Sequence, residues 1–551
     1  MTKNMEDVVQ PIVEEAVSVP QVSSVSPFSK AAEHVISVFD KKEAPNHEPK
    51  ITVNRFVSEI ANWYEKLRNA MDYRDQEVVL RASVERILKR RLGMMRTKNG
   101  SQDSIGHAIA EPLIKELVWG HYFPNGSLPE STIRHTADII NIWLRWRRGV
   151  KARYVMRDHV LNEWLYQLLS SHITRFLKPQ VHRNTVANFM FYVMKDEIQI
   201  TDDNEETKHV QVYLACRRAY AKDDIAFLRF ALFEQLFGTL STHTVEGAIH
   251  GFKHGYQEIK KQLTYKLKEK IYQNVKKQAP VFFILEDVLT AHKGKVAEIF
   301  ANEEEFQKVV FAAAEKRYKG IAHQVRIAIV RSVVFLLVTK AIFALAIEGS
   351  YDKYVYGSIS WLSIWLNIGI PPLLLIVVSL FITQPREDNS KRILDKIIVV
   401  LTEEEPKITP VFVVAKKPKK KPIHAVFTAL WFFAFFLSFG TMVQVLTSLH
   451  FNFVSQAVFI FFVAIVSFLS YGISSTAHQY MVDSKPGLFT PFIDFLFIPI
   501  VRVGRWFTDG ISSINVIVFL FDYVIEIPFK AIFGFFDQLF GYLHTKREEL
   551  E

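Results

Sequence analysis

Apolar residues return every three or four positions through residues 51–322, the spacing that places them on one stripe of an α-helix. Val57, Ile60, Ala61, Tyr64 and Leu67 make one such set. Val78, Leu80, Ala82, Val84, Ile87 and Leu88 make another, with Asp75 positioned to cap that second helix. Breakers at Gly100, 124–129, Gly149, Pro179 and 201–204 divide the stretch, and no strand alternation with hairpin turns intervenes. The pattern predicts an all-α domain of about ten helices of ordinary length. Residues 1–50 differ: five prolines are spread among Val, Ser and Glu, so this part reads as a disordered tail with one short helix around residues 29–39.

Beyond residue 303 a helical pattern runs without interruption into an apolar one, so the last helix of the domain is expected to continue into a membrane. A span needs about 20 mostly apolar residues. Ile327 to Ile347 qualifies, interrupted by Arg331 and Lys340. A second candidate lies in the 32 uncharged residues between Lys353 and Arg386, where Pro371-Pro372 should kink or break the helix. The 61 residues between Lys421 and Asp483 carry no Asp, Glu, Lys or Arg, and supply two more candidates, 424–446 and 453–475. Four spans in two hairpins follow: a first hairpin at 323–383, a loop at 384–423 and a second hairpin at 424–476. The final segment, 477–551, is apolar and aromatic but repeatedly charged. It reads as amphipathic helices lying in the bilayer interface, with a third hairpin as the rival. The fold class is therefore all-α, a cytoplasmic helical domain followed by a polytopic helical membrane domain.

Charge adds orientation. The chain has 551 residues and a net charge of +10, and ten of its basic residues fall in the 384–423 loop against six acidic ones. Lys316, Arg317, Lys319 and Arg326 precede the first span, whereas the turn inside the second hairpin has no charge. Positive residues stay on the cytoplasmic side, so the helical domain, this loop and both termini are expected there. A single cysteine, Cys216, excludes an internal disulfide and any zinc site built from several thiolates.

Candidate chemistry is sparse. Lys416, Lys417, Lys419, Lys420 and Lys421 beside a span suit anionic lipid headgroups, and also fix topology. Lys340 stands in the middle of the first span. It either faces a bundle interior, with Asp494, Asp522, Glu526, Gln444 or Gln456 as partner, or snorkels to an interface from a shifted span. His250 and His254, with Glu246 and Glu258 at the same four-residue period, could hold a divalent metal. Gly247, Gly251 and Gly255 share that period and suit a helix-packing seam equally well. Trp143 to Tyr154 interleaves aromatic and basic residues; residues 86–98 and 260–277 form two further basic clusters. These could meet lipid headgroups or a nucleic acid, or the tryptophans could be core with the arginines reaching water. There is no phosphate-loop, GxSxG, HExxH or CxxC motif, so no catalytic residue, cofactor or enzyme activity is expected. The leading expectation is a multi-pass membrane protein whose helical domain is an anchored scaffold or binding module for a protein partner or its own copies. The alternative is an oligomeric channel or transporter subunit with Lys340 in the path, and a metal-dependent hydrolase at His250 and His254 comes third.

Overall fold

The computed structural model describes residues 27–41, 48–54, 75–95, 102–201, 203–357, 361–380, 385–414, 423–449, 451–482 and 490–513, with a few isolated positions between and beyond them. Lys416 to Lys421, Asp522, Glu526 and most of 1–50 and 477–551 lie outside the described residues. Those described are almost entirely helical.

The helical domain runs through α1 (Lys30–Asp40), α2 (Gln76–Met95), α3 (Gln102–Trp119), α4 (Ser131–Arg153), α5 (Asp158–Leu177) and α6 (Val181–Met194). After a short strand β1 (Ile198–Ile200) come α7 (Glu205–Cys216), α8 (Ile225–Phe237), α9 (Val245–Leu263), α10 (Lys268–Lys276), α11 (Ala279–Ala291) and α12 (Val296–Phe300). Local chemistry explains the starts. Asp75 accepts the Glu77 N–H at 3.3 Å, Asn204 the Thr207 N–H at 3.1 Å, and Asp224 the Phe227 N–H at 3.0 Å. Each cap satisfies a donor that the first helical turn leaves open. The short helix expected near residues 29–39 forms, capped by Ser29, and buries Val35 and Phe39 against α6.

Two expectations need correction. Gly149 does not break α4, which continues to Arg153, because the glycine is the point where the Ile249 side chain of α9 presses against the helix. Pro371-Pro372 does not break its helix either. Two adjacent prolines remove only the hydrogen bonds to the carbonyls one turn earlier, and packing against two neighbouring helices holds the rest.

Helix α13 (Glu303–Phe343) starts at Asn302, whose side chain accepts from Glu304 and Glu305 N–H, with three glutamates in the first turn facing the positive helix end. It passes without a gap through a π-helical turn, Ala344–Gly349, into α14 (Ser350–Tyr356), and stops at Gly357 with φ +72°. At 1.5 Å per residue, its 53-residue stretch Glu303–Val355 is about 80 Å long, more than twice a hydrocarbon core. The uninterrupted exit from the domain expected at residues 303–322 is therefore present. There follow α15 (Trp361–Leu380), α16 (Glu387–Thr402), β2 (Phe412–Val414), α17 (Ile423–Ser448), α18 (Phe453–Ala477) and α19 (Thr490–Ser513).

Among the described residues three helices are long and apolar enough to cross a membrane: Glu303–Val355, Ala425–Ser448 and Phe453–Tyr480. A fourth apolar stretch, Ile364–Leu380, is shorter. Only 6% of the apolar window in Ala425–Ser448 is buried within the chain, so Phe427, Phe432, Phe433 and Phe436 must find lipid or another polypeptide. Helix α19 packs on both α17 and α18: a Cβ at Gly504 would overlap the Ala464 carbonyl, Phe507 meets Phe461, and Arg502 lies over Trp431 at 5.4 Å.

The domain is bolted to the apolar helices. Helix α13 packs on α11, α12 and α16 at one end and on α15 and α18 at the other. At the junction Arg317 pairs with Asp287 and donates to the Tyr480 hydroxyl at 2.8 Å. Asn389 donates to Tyr318 Oη and to the Tyr480 carbonyl, and accepts the Val482 N–H, all within 2.8 Å. The parallel pair β1–β2 ties the chain after α16 back to the domain, helped by Glu197, which accepts from Ile408 N, Thr409 N and Thr409 Oγ1. Asn389→Ala leaves two buried backbone groups, the Tyr480 carbonyl and the Val482 N–H, unsatisfied at about 1–3 kcal/mol each. Faster amide exchange confined to Glu387–Thr402 and 478–482 is the expected result, and unchanged exchange there would show that the junction does not depend on Asn389.

Candidate functional site

Two places gather polar side chains beyond what folding requires. The first is an open cleft of about 1180 Å³ between α4 and α9, closed at one side by Ile105 of α3. Helix α4 has two faces. Trp143 and Trp146 are fully buried, Trp143 donating its indole N–H to His172 Nδ1 at 3.0 Å, while Arg145 between them and Arg148 beyond them are exposed. Burial, and then the nearby Arg175, pull the His172 imidazole down to about 4, so it accepts this bond as a neutral ring. Of the expected readings of residues 143–154, the core reading therefore holds for the tryptophans, and neither of their rings is on the surface to stack.

The arginines divide by partner. Arg145 pairs with Glu246 across the cleft at 2.7 Å, and Arg147 donates to Asn162 at 2.7 Å. Arg148 and Arg153 are exposed and have no carboxylate partner among the described residues; Arg148 donates only to Leu144 O of its own helix. The basic cluster at 86–98 is different, since Arg86 pairs with Glu65, Lys89 with Glu85, and Arg90 and Arg91 both with Glu116. In the third cluster Lys261 pairs with Glu258 and Lys268 donates to Leu263 O.

His250 lines the cleft, and its carbonyl accepts the Tyr154 hydroxyl at 2.5 Å. His250 and His254 are both exposed, Glu246 is engaged by Arg145, and Glu258 by Lys261 and Gln262. Among the described residues no three His, Cys, Asp or Glu side chains are grouped to hold a metal. Of the glycines on this helix, Gly255 lets the Phe237 ring approach, a packing role, while Gly247 faces open space. Cys216 is fully buried, and burial pushes its thiol well above the ordinary range.

The second place is a polar seam among the apolar helices. Lys340 is fully buried, and its Nζ lies 3.5 Å from a carboxylate oxygen of Glu348, also fully buried. The ammonium sits 4.5 Å from the centre of the Phe462 ring. Asn367 of α15 donates to the other Glu348 oxygen and to Ser455 O of α18 at 3.3 Å. Near the same helix ends Asn452 donates to the buried Asp352 at 2.6 Å.

Lys340 thus does not snorkel, and of its expected partners the described amides Gln444 and Gln456 are not used, while Asp522, Glu526 and the side chain of Asp494 lie outside the described residues. Gln456 donates to Phe451 O and Thr447 Oγ1 instead. Its partner comes from its own helix, through the π turn. Eight residues of straight α-helix at 100° each leave Glu348 about 80° round the cylinder from Lys340. The wider i→i+5 turn at Ala344–Gly349 advances less per residue and brings the two back to one side. The signal available in the sequence was only the eight-residue separation. Asn367, Asn389 and Tyr480 carried none. Set against protein families, curated proteins and solved structures, the chain matches none of them, so the functional reading rests on these residues alone.

Proposed function

We propose that the chain is a multi-pass membrane protein whose helical domain is a cytoplasmic, membrane-anchored binding module, with the cleft between α4 and α9 as its binding site. The observation that carries this reading is the cleft itself: two arginines without counter-charge on a domain clamped to the apolar helices. A flexible tether would suffice to localise a domain. Here a continuous helix and the Arg317, Asn389 and Tyr480 junction fix its position relative to the apolar helices, which supports a scaffold.

In this reading α13, α15, α17 and α18 cross the membrane as two hairpins, and α19 travels with them through its contact at Gly504. The basic residues of 384–423 keep that loop, the domain and both termini in the cytoplasm, with Lys416, Lys417, Lys419, Lys420 and Lys421 against anionic headgroups. The channel alternative needs Lys340 in an open path. Its enclosure by Glu348 and Phe462 favours the binding module.

Cross-linking of the full-length protein in its native membrane tests the proposal. Wild type and the Lys340→Met/Glu348→Gln double variant are expected to give the same cross-linked partners, and Arg148→Glu/Arg153→Glu to lose them. Partners indifferent to charge reversal, or solute flux in vesicles abolished by the Lys340 and Glu348 changes, would overturn it.

A further inference from the structure

We infer that the α4–α9 cleft takes a soluble, multiply phosphorylated small molecule, with phosphate groups seated on Arg148 and Arg153; this rests on the reading of the helical domain as the binding part of the protein. The cleft wall is rich in donors and poor in acceptors. Arg148 and Arg153 offer guanidinium forks uncommitted to any carboxylate. Asn141 accepts the Gly106 N–H with its carbonyl oxygen at 3.0 Å, which leaves its amide N–H groups as the available end. Among the described residues of the wall the only carboxylate, Glu246, is already engaged by Arg145. A ligand that complements this wall brings many acceptors and no donors. Phosphate monoesters do so, with three acceptor oxygens and a charge of about −1.5 to −2 per group at neutral pH. Guanidinium forks bind them bidentately.

Part of the lining is aliphatic, with Ile105, Ile142 and Ile249, and suits the ring or carbon frame that would carry the phosphates. The volume of about 1180 Å³ exceeds the ~300–1,000 Å³ typical of small-molecule sites, leaving room for several phosphate groups and water. Arg145 adds a movable donor, since its pair with Glu246 is half-exposed on both sides and such pairs are weak. A stacked base is not what the cleft reads, because Trp143 and Trp146 are both inside the core. Nor do its helices lie on the route to the bilayer: α4 and α9 pack on α3, α5 and α8, whereas α13 packs on α11, α12 and α16.

The test uses full-length protein in phosphatidylcholine nanodiscs, titrated calorimetrically with inositol hexakisphosphate and with inorganic pyrophosphate. Saturable binding is expected, tighter for the hexakisphosphate, weaker on raising NaCl from about 50 to about 200 mM, and weakened at least tenfold in Arg148→Glu/Arg153→Glu. Arg148→Gln/Arg153→Gln, which adds no negative charge, should weaken it in the same direction. Both residues are exposed, so unchanged thermal unfolding of these variants is expected and validates the comparison. Nanodiscs containing phosphatidylinositol 4,5-bisphosphate should leave the affinity unchanged; competition from that lipid would assign the site to a headgroup and overturn the soluble source. No binding of either probe by wild type, binding indifferent to both variants, or tighter binding of a glutamate-rich peptide of equal charge would overturn the phosphate class. Such a failure with charge-dependent cross-links intact removes this inference alone. Loss of both removes the binding-module reading as well.

Discussion

Glu348→Ala is expected to destabilise the packed apolar helices by about 3–5 kcal/mol, while Lys340→Met combined with Glu348→Gln recovers most of that loss. Both ions are fully buried within the chain, and the surface surrounding them is apolar. Removing the carboxylate leaves an ammonium with one aromatic face and no counter-charge, and also takes away the acceptor for Asn367. The double variant removes both charges yet keeps an amide oxygen that Asn367 can reach. Two separated ions cost far more in a low-dielectric interior than a neutral pair of similar volume. The measurement is an unfolding titration of the purified protein in mixed detergent micelles, with Lys340→Met, Glu348→Gln and their combination run as a double-mutant cycle beside Glu348→Ala. Additive losses, with the double variant worse than Glu348→Ala, would show that Lys340 and Glu348 do not act as a pair.

Much of the architecture was legible because it is written in local, periodic signals. The helical stripe at 78–88, the cap at Asp75 and the unbroken run from 303 into apolar sequence all depend on neighbours a few residues away, while most of the stripe at 57–67 lies outside the described residues. The cleft was half legible. The arginine spacing in residues 143–154 is in the sequence, but which arginines stay unpaired depends on where distant carboxylates fall. Glu116 pairs with Arg90 and Arg91 from another helix, and among the described residues no carboxylate does so for Arg148. The polar seam was hidden for a geometric reason. Helical periodicity assumes 100° per residue, and the π turn at Ala344–Gly349 breaks that assumption just where Lys340 must find Glu348. The contacts that Arg317, Asn389 and Tyr480 make at the junction between the domain and the apolar helices span 71 to 163 positions in sequence, and polar contacts at such range leave no periodic trace.

Trp146→Ala carries the other large effect, a loss of about 3–5 kcal/mol from the helical domain. The ring is fully buried and meets Trp143, Phe233 and Phe252 edge-on, with centroids 5.3, 5.9 and 5.2 Å away. Truncation opens a cavity that three large aromatic neighbours can fill only by leaving their own rotamers. The indole N–H has no hydrogen-bond partner, however, so Trp146→Phe gives up volume but no polar contact and should cost less than about 1.5 kcal/mol. Denaturant unfolding followed by far-ultraviolet circular dichroism separates the two variants; equal losses would mean that the N–H is bonded in solution. Two residues along the same helix, Arg148 faces water and contributes little to stability. Stability and ligand binding should therefore divide cleanly between adjacent positions of α4: Trp146→Phe leaves the charge-dependent cross-links and phosphate binding intact, whereas Arg148→Glu/Arg153→Glu abolishes them at unchanged unfolding midpoint.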